Sequence, residues 1–333
     1  MRIGIDAMGG DSAPAVEVKG AVAARQFLSP GDRIVLVGRE DAVRAHLADV
    51  AGWSDYIDLV HTDQVIGMNE APVEALRSKP RSSLAVMVQL HAKGELDACI
   101  SLGNTGAFVA AAQMRLRRLE GVHRPGIAIV SPTLHGPVAL CDVGANVNCR
   151  PQHLHQYGVM ASVYMRAICQ VAKPRVGLLN VGAEEAKGND LVKRTHELFR
   201  QDRHVNFIGN VEGRDLFSGV CDVVICEGFV GNVMLKLIEG MADGLVRALL
   251  GELTSLMPDG KDLIRQAGKA IAIKYDYNEY GGAPLLGVNG ICIICHGASD
   301  HRGVMNAVRS AREYASCQAN QQITSLLDNR NQG

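Results

Sequence analysis

Short apolar runs recur along this chain with helical patterns between them, and that alternation constrains the fold more than any other feature. Runs that read as strands occupy residues 3–7, 33–37, 57–60, 98–101, 127–131, 138–142, 176–181, 205–208, 223–226 and 291–295. Helical spacing of apolar residues fills 15–27, 83–93, 105–117, 152–171 and 232–250. In the last of these, Met234, Leu237, Ile238, Met241 and Leu245 fall at helical spacing. A strand that is apolar throughout needs cover on both faces, and strand followed by helix supplies it. The pattern therefore predicts an α/β fold around a mainly parallel sheet. No linker, low-complexity block or internal repeat divides the chain, so one continuous domain over 1–333 is expected.

A chain of 333 residues with 47% hydrophobic and 21% charged content can bury a large core. A formal net charge of -1 gives no overall basic field, and no nucleic-acid partner is expected. The opening MRIGID runs directly into a turn and lacks the regions of a secretory signal, and no apolar segment is long enough to span a bilayer; a cytoplasmic protein is expected. The nine cysteines are an odd number, mostly inside apolar runs, and read as reduced core thiols. CIICH at 292–296 matches a haem-attachment pattern and half of a zinc site. It lies in an apolar strand, and no second CxxC pair completes four ligands, so no metal is expected.

Chemistry concentrates in the segments after the strands. DAMGGD (6–11), SLGNTG (101–106), DVGANVN (142–148), NVGAEEAKG (180–188), EGFVGN (227–232) and HGAS (296–299) are rich in Gly, Asn and Asp. In a parallel sheet such loops gather at the carboxyl edge, and here all six are expected on one edge. Glycines admit close backbone approach, and a helix starting just beyond aims unpaired N–H groups at an anion. Ser101, Gly103, Asn104, Thr105 and Gly106 have that form. Each loop taken alone also reads as a tight turn with a helix cap. GxGxxG after the first strand, GxxxxGK[ST], GxSxG and HExxH are all absent, which argues against the corresponding dehydrogenase, NTPase, esterase and zincin chemistries.

These segments carry a resemblance. IDAMGGD (5–11), GNTGA (103–107), DVGAN (142–146), LLN (178–180) with EEAKG (184–188), GFVGN (228–232) and EYGGAPLLG (279–287) resemble the bacterial phosphate acyltransferase family, in matching order to about residue 315. Asn148 stands where the family usually has Asp, and Leu102 where it has Ala. The resemblance implies transfer of a fatty acyl group from acyl-carrier-protein to inorganic phosphate. The acyl phosphate formed would feed phospholipid synthesis through a membrane glycerol-3-phosphate acyltransferase. It further implies a homodimer with a three-layer α/β/α fold like that of isocitrate and isopropylmalate dehydrogenases, and no cofactor. A nicotinamide-dependent hydroxy-acid dehydrogenase and a non-catalytic anion-binding regulator are the competing readings.

Phosphate is already an anionic nucleophile and a thiolate a good leaving group, so positioning and charge stabilisation should dominate. Lys187 is the first choice for the phosphate cation, against an exposed lysine beside Glu184. Asn104 and Thr105 are the first-choice donors, against a capping role. Asn146, Asn180 and Asn232, with Gly231 beside the last, offer further donors, against amides that only satisfy backbone groups. His296 offers a proton to the thiolate or a contact to phosphate, against a core histidine. Lys236 neutralises the site or lies on the solvent face. A covalent route through Cys149 or Cys295 stays open.

The helical pattern from Met234 continues through Leu249, Leu253, Leu256 and Met257, and after a Pro258–Gly260 turn Lys261, Arg265 and Lys269 share one face. A protruding helical hairpin at about 245–272 is expected. Its apolar tip either touches the inner face of the plasma membrane, with the basic stripe meeting anionic lipid or the carrier protein, or is buried between two copies.

Overall fold

The computed structural model describes residues 1–274 and 277–331. Its strands are β1 (Arg2–Asp6), β2 (Arg33–Gly38), β3 (Ile57–His61), β4 (Ala98–Ser101), β5 (Gly126–Thr133), β6 (Gly136–Cys141), β7 (Arg175–Leu179), β8 (Asn206–Val211), β9 (Val223–Ile225), β10 (Ala283–Leu286) and β11 (Cys292–Ile294). Its helices are α1 (Ala15–Ala23), α2 (Glu40–Leu47), α3 (Pro72–Ser78), α4 (Ser83–Ala92), α5 (Thr105–Arg115), α6 (Pro151–Ala167), α7 (Asp190–Gln201), α8 (Gly228–Leu256), α9 (Lys261–Lys274), α10 (His301–Ser316) and α11 (Ala319–Asn331).

All eleven strands join one sheet in the order β3-β2-β1-β4-β11-β10-β5-β6-β9-β7-β8. Two parallel blocks, β3-β2-β1-β4-β11 and β6-β9-β7-β8, flank a centre in which β11–β10, β10–β5 and β5–β6 are antiparallel. Three reversals in succession leave the two blocks running in opposite directions. The six loops therefore divide. Those after β1, β4 and β11 lie on one edge, and those after β6, β7 and β9 on the other, not all on one edge as the strand–helix pattern suggests.

Alternation along β5 shows how the layers form. Ile127 and Ile129 enter a core beneath α4, α5 and α8, whereas Ala128 and Val130 enter a core beneath α6, α7 and α11. Ile3, Ile5, Ile34 and Leu36 build a third cluster with α1, α2 and α10. The result is an α/β/α sandwich with helices on both faces. Cys292 joins the first cluster and Cys295 the third. The two thiols of the CIIC motif thus face opposite sides of the sheet and share no site.

The expected helix at 232–250 starts earlier. Glu227 caps it, accepting hydrogen bonds from Phe229 N (2.6 Å) and Val230 N (3.1 Å). GFVGN is therefore its first turn and not a loop. Gly228 and Gly231 let that turn press on the segment after β6, since a Cβ on Gly231 would lie 1.9 Å from the Asp142 carbonyl oxygen and one on Gly228 2.7 Å from that of Asn146.

Glu17 of α1 lies fully buried beneath the loop after β1. Its Oε1 accepts the Gly10 N–H at 2.9 Å, and its Oε2 has no partner. Burial pushes this carboxyl up to about 7 from its ordinary 4.5. Between those values the folded state holds a proton that the unfolded state has lost, so stability falls as pH rises from about 4.5 to about 7 and stays low above it. Glu17→Gln keeps the acceptor for Gly10 and removes the charge. It is expected to stabilise the protein by roughly 1–3 kcal/mol at pH 8 and by almost nothing at pH 4.5, read by urea denaturation at the two pH values. Equal stabilities at pH 8 would refute the account.

Candidate active site

Loops from the two opposed edges meet over the centre of the sheet. A cleft of about 320 Å³ is lined by Thr105 and Gly106 of α5, Val143 and Gly144 after β6, Asn232, Leu235, Lys236 and Glu239 of α8, and His296 after β11. Its floor is Ile127 and Ile129 of β5, Ala283 of β10 and Ile294 of β11. The short β10 makes the meeting possible. Ala283 pairs with Ile294 next to one edge, and Leu286 pairs with Gly126 next to the other. Four residues, about 10 Å at strand rise, separate the two.

Each wall of the cleft hangs on a buried carboxylate. After β6, Asp142 Oδ1 accepts the N–H groups of Ile127 (3.0 Å), Gly144 (3.1 Å) and Ala145 (2.9 Å), and Oδ2 accepts that of Asn146 (2.8 Å). Burial pushes the Asp142 carboxyl up, against the pull of these bonds. On the other wall, Asp6 accepts from Met8 N (3.3 Å) and Ser101 Oγ (2.9 Å), and Ser101 Oγ accepts Gly103 N at 3.1 Å. Gly103 packs so close to Gly9 that a Cβ would sit 3.2 Å from its Cα. Burial raises Asp6 as well.

Three of the loop asparagines expected as donors are engaged within the protein. Asn104 Nδ2 donates to the carbonyls of Gly67 (3.2 Å), Met68 (3.1 Å) and Glu70 (3.0 Å), while its Oδ1 caps Ala107 N (2.9 Å). It clamps the 67–70 segment to α5. Asn146 Nδ2 donates to Pro125 O (2.6 Å), Tyr157 OH (2.8 Å) and Asp142 Oδ2 (3.3 Å), and its Oδ1 accepts Arg124 Nη1 (3.3 Å). Asn180 closes its own loop through Lys187 O (3.1 Å) and Val181 N (2.9 Å). Ser101 is buried in its bonds to Asp6 and Gly103, and Gly231 is a packing glycine. Lys187 is half-exposed, pairs with Glu184 at 3.0 Å, and is not among the cleft-lining residues.

Six of the expected residues do come together at the cleft: Thr105, Gly106, Asn232, Lys236, Cys295 and His296. Thr105 and Gly106 open α5, where N–H groups have no intrahelical acceptor and the helix dipole is positive. Lys236 projects from the third turn of α8 and takes part in no ion pair among the described residues. His296 Nδ1 accepts Ala298 N at 3.2 Å, which leaves the proton of the neutral ring on Nε2. His296 is exposed, not a core histidine. The apolar floor was not visible as part of the site, because only the pairing of β10 with β5 and β11 puts it opposite α8, and Glu239 reads in the sequence as one more polar position of that helix. No group of three or more potential metal ligands occurs among the described residues.

The chain matches the family described as fatty acid synthesis protein over residues 1–322. It is 45% identical to a phosphate acyltransferase of Geobacter sulfurreducens, over 98% of this chain and 94% of that one. A phosphate acyltransferase of Desulforamulus reducens is 46% identical, over 94% and 93%. In fold the chain is similar to a phosphotransacetylase from Streptococcus pyogenes (TM-score 0.63, 15% identity, 96% and 94% covered) and to one from Staphylococcus aureus (0.58, 13%, 94% and 94%). At such identities the likeness speaks for the fold alone. The identities with the curated relatives and the match across nearly the whole length carry the assignment: this chain belongs to the fatty acid synthesis protein family and is a phosphate acyltransferase.

Proposed function

We propose that the cleft transfers a fatty acyl group from an acyl-carrier-protein thioester to inorganic phosphate. A phosphate oxygen attacks the thioester carbonyl, the C–S bond breaks, and the carrier thiolate takes up a proton as the acyl phosphate leaves. The observation that carries this reading is the convergence of anion donors from both sheet edges over an apolar floor. Lys236 and the first-turn N–H groups of α5 hold phosphate, Asn232 donates from the opposite wall, and His296 Nε2–H protonates the thiolate. Ile127, Ile129 and Ile294 bed the start of the acyl chain.

Direct attack is favoured over a cysteine intermediate by the state of the thiols. Burial pushes Cys149 up to about 11 and Cys295 up to about 12, so neither offers appreciable thiolate at neutral pH. Purified protein with long-chain acyl-carrier-protein is expected to release free carrier protein only when phosphate is present. Lys236→Ala should lower kcat/KM on the order of 10²-fold, and Cys149→Ala and Cys295→Ala should leave turnover unchanged. Release without phosphate, or an acyl-cysteine trapped and identified by mass spectrometry, would count against the mechanism.

The same reading extends to where the product goes. α8 is 29 residues long, about 43 Å, and exposes Val230, Val233, Leu237, Met241, Leu245 and Leu249 at spacings of three and four. This stripe meets a second copy in a homodimer. Beyond it Leu256 and Leu263 are 76% and 73% exposed around the turn into α9, next to Lys261 and Lys269; Arg265 pairs with Asp262 at 3.7 Å. No helix among the described residues is long and apolar enough to cross a membrane. The tip instead rests on an anionic inner-leaflet surface, where acyl phosphate reaches a membrane glycerol-3-phosphate acyltransferase. Leu253→Glu combined with Leu256→Glu is expected to abolish co-sedimentation with vesicles containing anionic lipid while sparing the dimer and turnover. A monomeric double variant would place the tip in the subunit interface.

A further inference from the structure

Arginines gather where the chain enters β5 and leaves β6. Arg115 ends α5, Arg117 and Arg118 follow it, Arg124 precedes β5, and Arg150 stands at the head of α6; all five are exposed. Contacts through His123, His153 and Asn146 link Arg118, Arg124 and Arg150, and Arg115 and Arg117 adjoin Arg118 in the chain. Arg118 Nη1 donates to the His123 carbonyl, the His123 ring lies 6.2 Å edge-on from His153, and Arg124 Nη1 donates to Asn146 Oδ1. His153 is 8% exposed and accepts Arg150 N on Nδ1 at 3.1 Å. Burial lowers its affinity for a proton, and Arg124, His123 and Arg150 lower it further, which marks all three as close neighbours. None of the five arginines is in an ion pair among the described residues, and the exposed Glu120 neutralises none of them.

Five guanidinium groups outside any ion pair among the described residues, on a chain of net charge -1, are a local concentration of charge that internal ion pairing does not explain. The patch also flanks the cleft. Arg124 holds Asn146, the last residue of the segment whose Val143 and Gly144 line the cleft wall, and Arg115 ends the helix whose first turn lines the opposite wall. Beside the arginines, Met114 and Val147 are 56% and 58% exposed. Guanidinium forks around apolar side chains suit a protein surface that offers carboxylates around an apolar spot.

We infer that this patch, and not the basic face of α9, is the docking surface for the acidic carrier protein. The inference rests on the reading of the acyl donor as a carrier-protein thioester. It adds that recognition of the carrier is separate from the cleft: the arginines steer and seat the protein, and only its thioester arm enters. Steering by rim charges acts on encounter and on salt dependence, and leaves the chemical step alone.

The test is steady-state kinetics with acyl-carrier-protein and phosphate each varied, at low and at physiological ionic strength. Arg115→Glu with Arg118→Glu, and separately Arg150→Glu, are expected to raise the KM for acyl-carrier-protein on the order of tenfold at low salt. The kcat and the KM for phosphate should not change, and wild type should approach the variants as salt screens the patch. An unchanged carrier-protein KM in both variants overturns the inference. So does a raised KM for phosphate, which would make the cluster a small-anion site. If the double reversal fails to fold, Arg115→Gln with Arg118→Gln asks the same question, and an unaltered salt dependence of the carrier-protein KM refutes it. Wild type that shows no phosphate-dependent release from acyl-carrier-protein would instead defeat the reaction proposed above.

Discussion

The rest of the site depends on a single constraint, the antiparallel seating of β10 between β5 and β11. Without it each parallel block would carry its own loops on its own edge, remote from the other. Four residues of reversed strand bring the two edges within about 10 Å, close enough for one small ligand to touch both. The glycines before it are demanded by this seating. Gly281 and Gly282 both have positive φ (79° and 84°), and a Cβ on either would strike Asn306 O or Ile294 O within 2.8 Å. Over the bare floor of β5 and β10, N–H groups of α5 then face side chains of α8.

Within that frame, polar groups separate into those that build and those left free. Asp142, Asp6, Ser101, Asn104 and Asn146 are all 5% exposed or less and each hydrogen-bonds to backbone or to another buried polar group. A buried polar group that lost its partners would cost about 1–3 kcal/mol, so such residues are tightly bound to their framework role and poorly suited to hand a hydrogen bond to a passing substrate. The groups at the cleft with capacity to spare are the first-turn N–H groups of α5, Asn232, Lys236 and His296. In the proposed reaction, charge stabilisation of phosphate and oxyanion falls to these.

Much of this was legible in the sequence, and what was not has a physical cause. Ten strands announced themselves as apolar runs, because strands buried on both faces cannot hide their composition. β10 did not: APLL is short, carries a proline, and sits in a glycine-rich segment that reads as a turn. The reversal of the second block went unseen for another reason: β5 and β6 read as two more runs of a parallel sheet, whereas the tight turn between Thr133 and Gly136 makes them an antiparallel pair, and so six loops seemed to share an edge. The two lysines differ in how much of their setting the sequence shows. Lys187 sits in a polar glycine-flanked loop and looks like a ligand, yet it pairs locally with Glu184; Lys236 looks like one face of a long helix, yet the sheet centre lies opposite it. Local sequence reports loop chemistry well, but strand direction is a non-local property set by pairings across the chain.

The long helix raises a mechanical question, since one rod bears both cleft residues and a far exposed end. Its first turn is pinned: Glu227 caps it, Gly228 N donates to Asn146 O at 2.8 Å, and Gly231 lies against the Asp142 carbonyl. Met234, Leu235 and Ile238 then pack on the core. Beyond them the helix touches mainly α9. A rod held at one end pivots there, so a tilt that carries the tip through several ångströms displaces Asn232 and Lys236 far less. Contacts made by the tip with any surface, lipid or protein, are thereby decoupled from the geometry of the cleft. Transmission in the other direction is equally weak, because a ligand at Lys236 pushes on the stiffest part of the helix. Docking by the exposed end and chemistry at the pinned end can each change without disturbing the other.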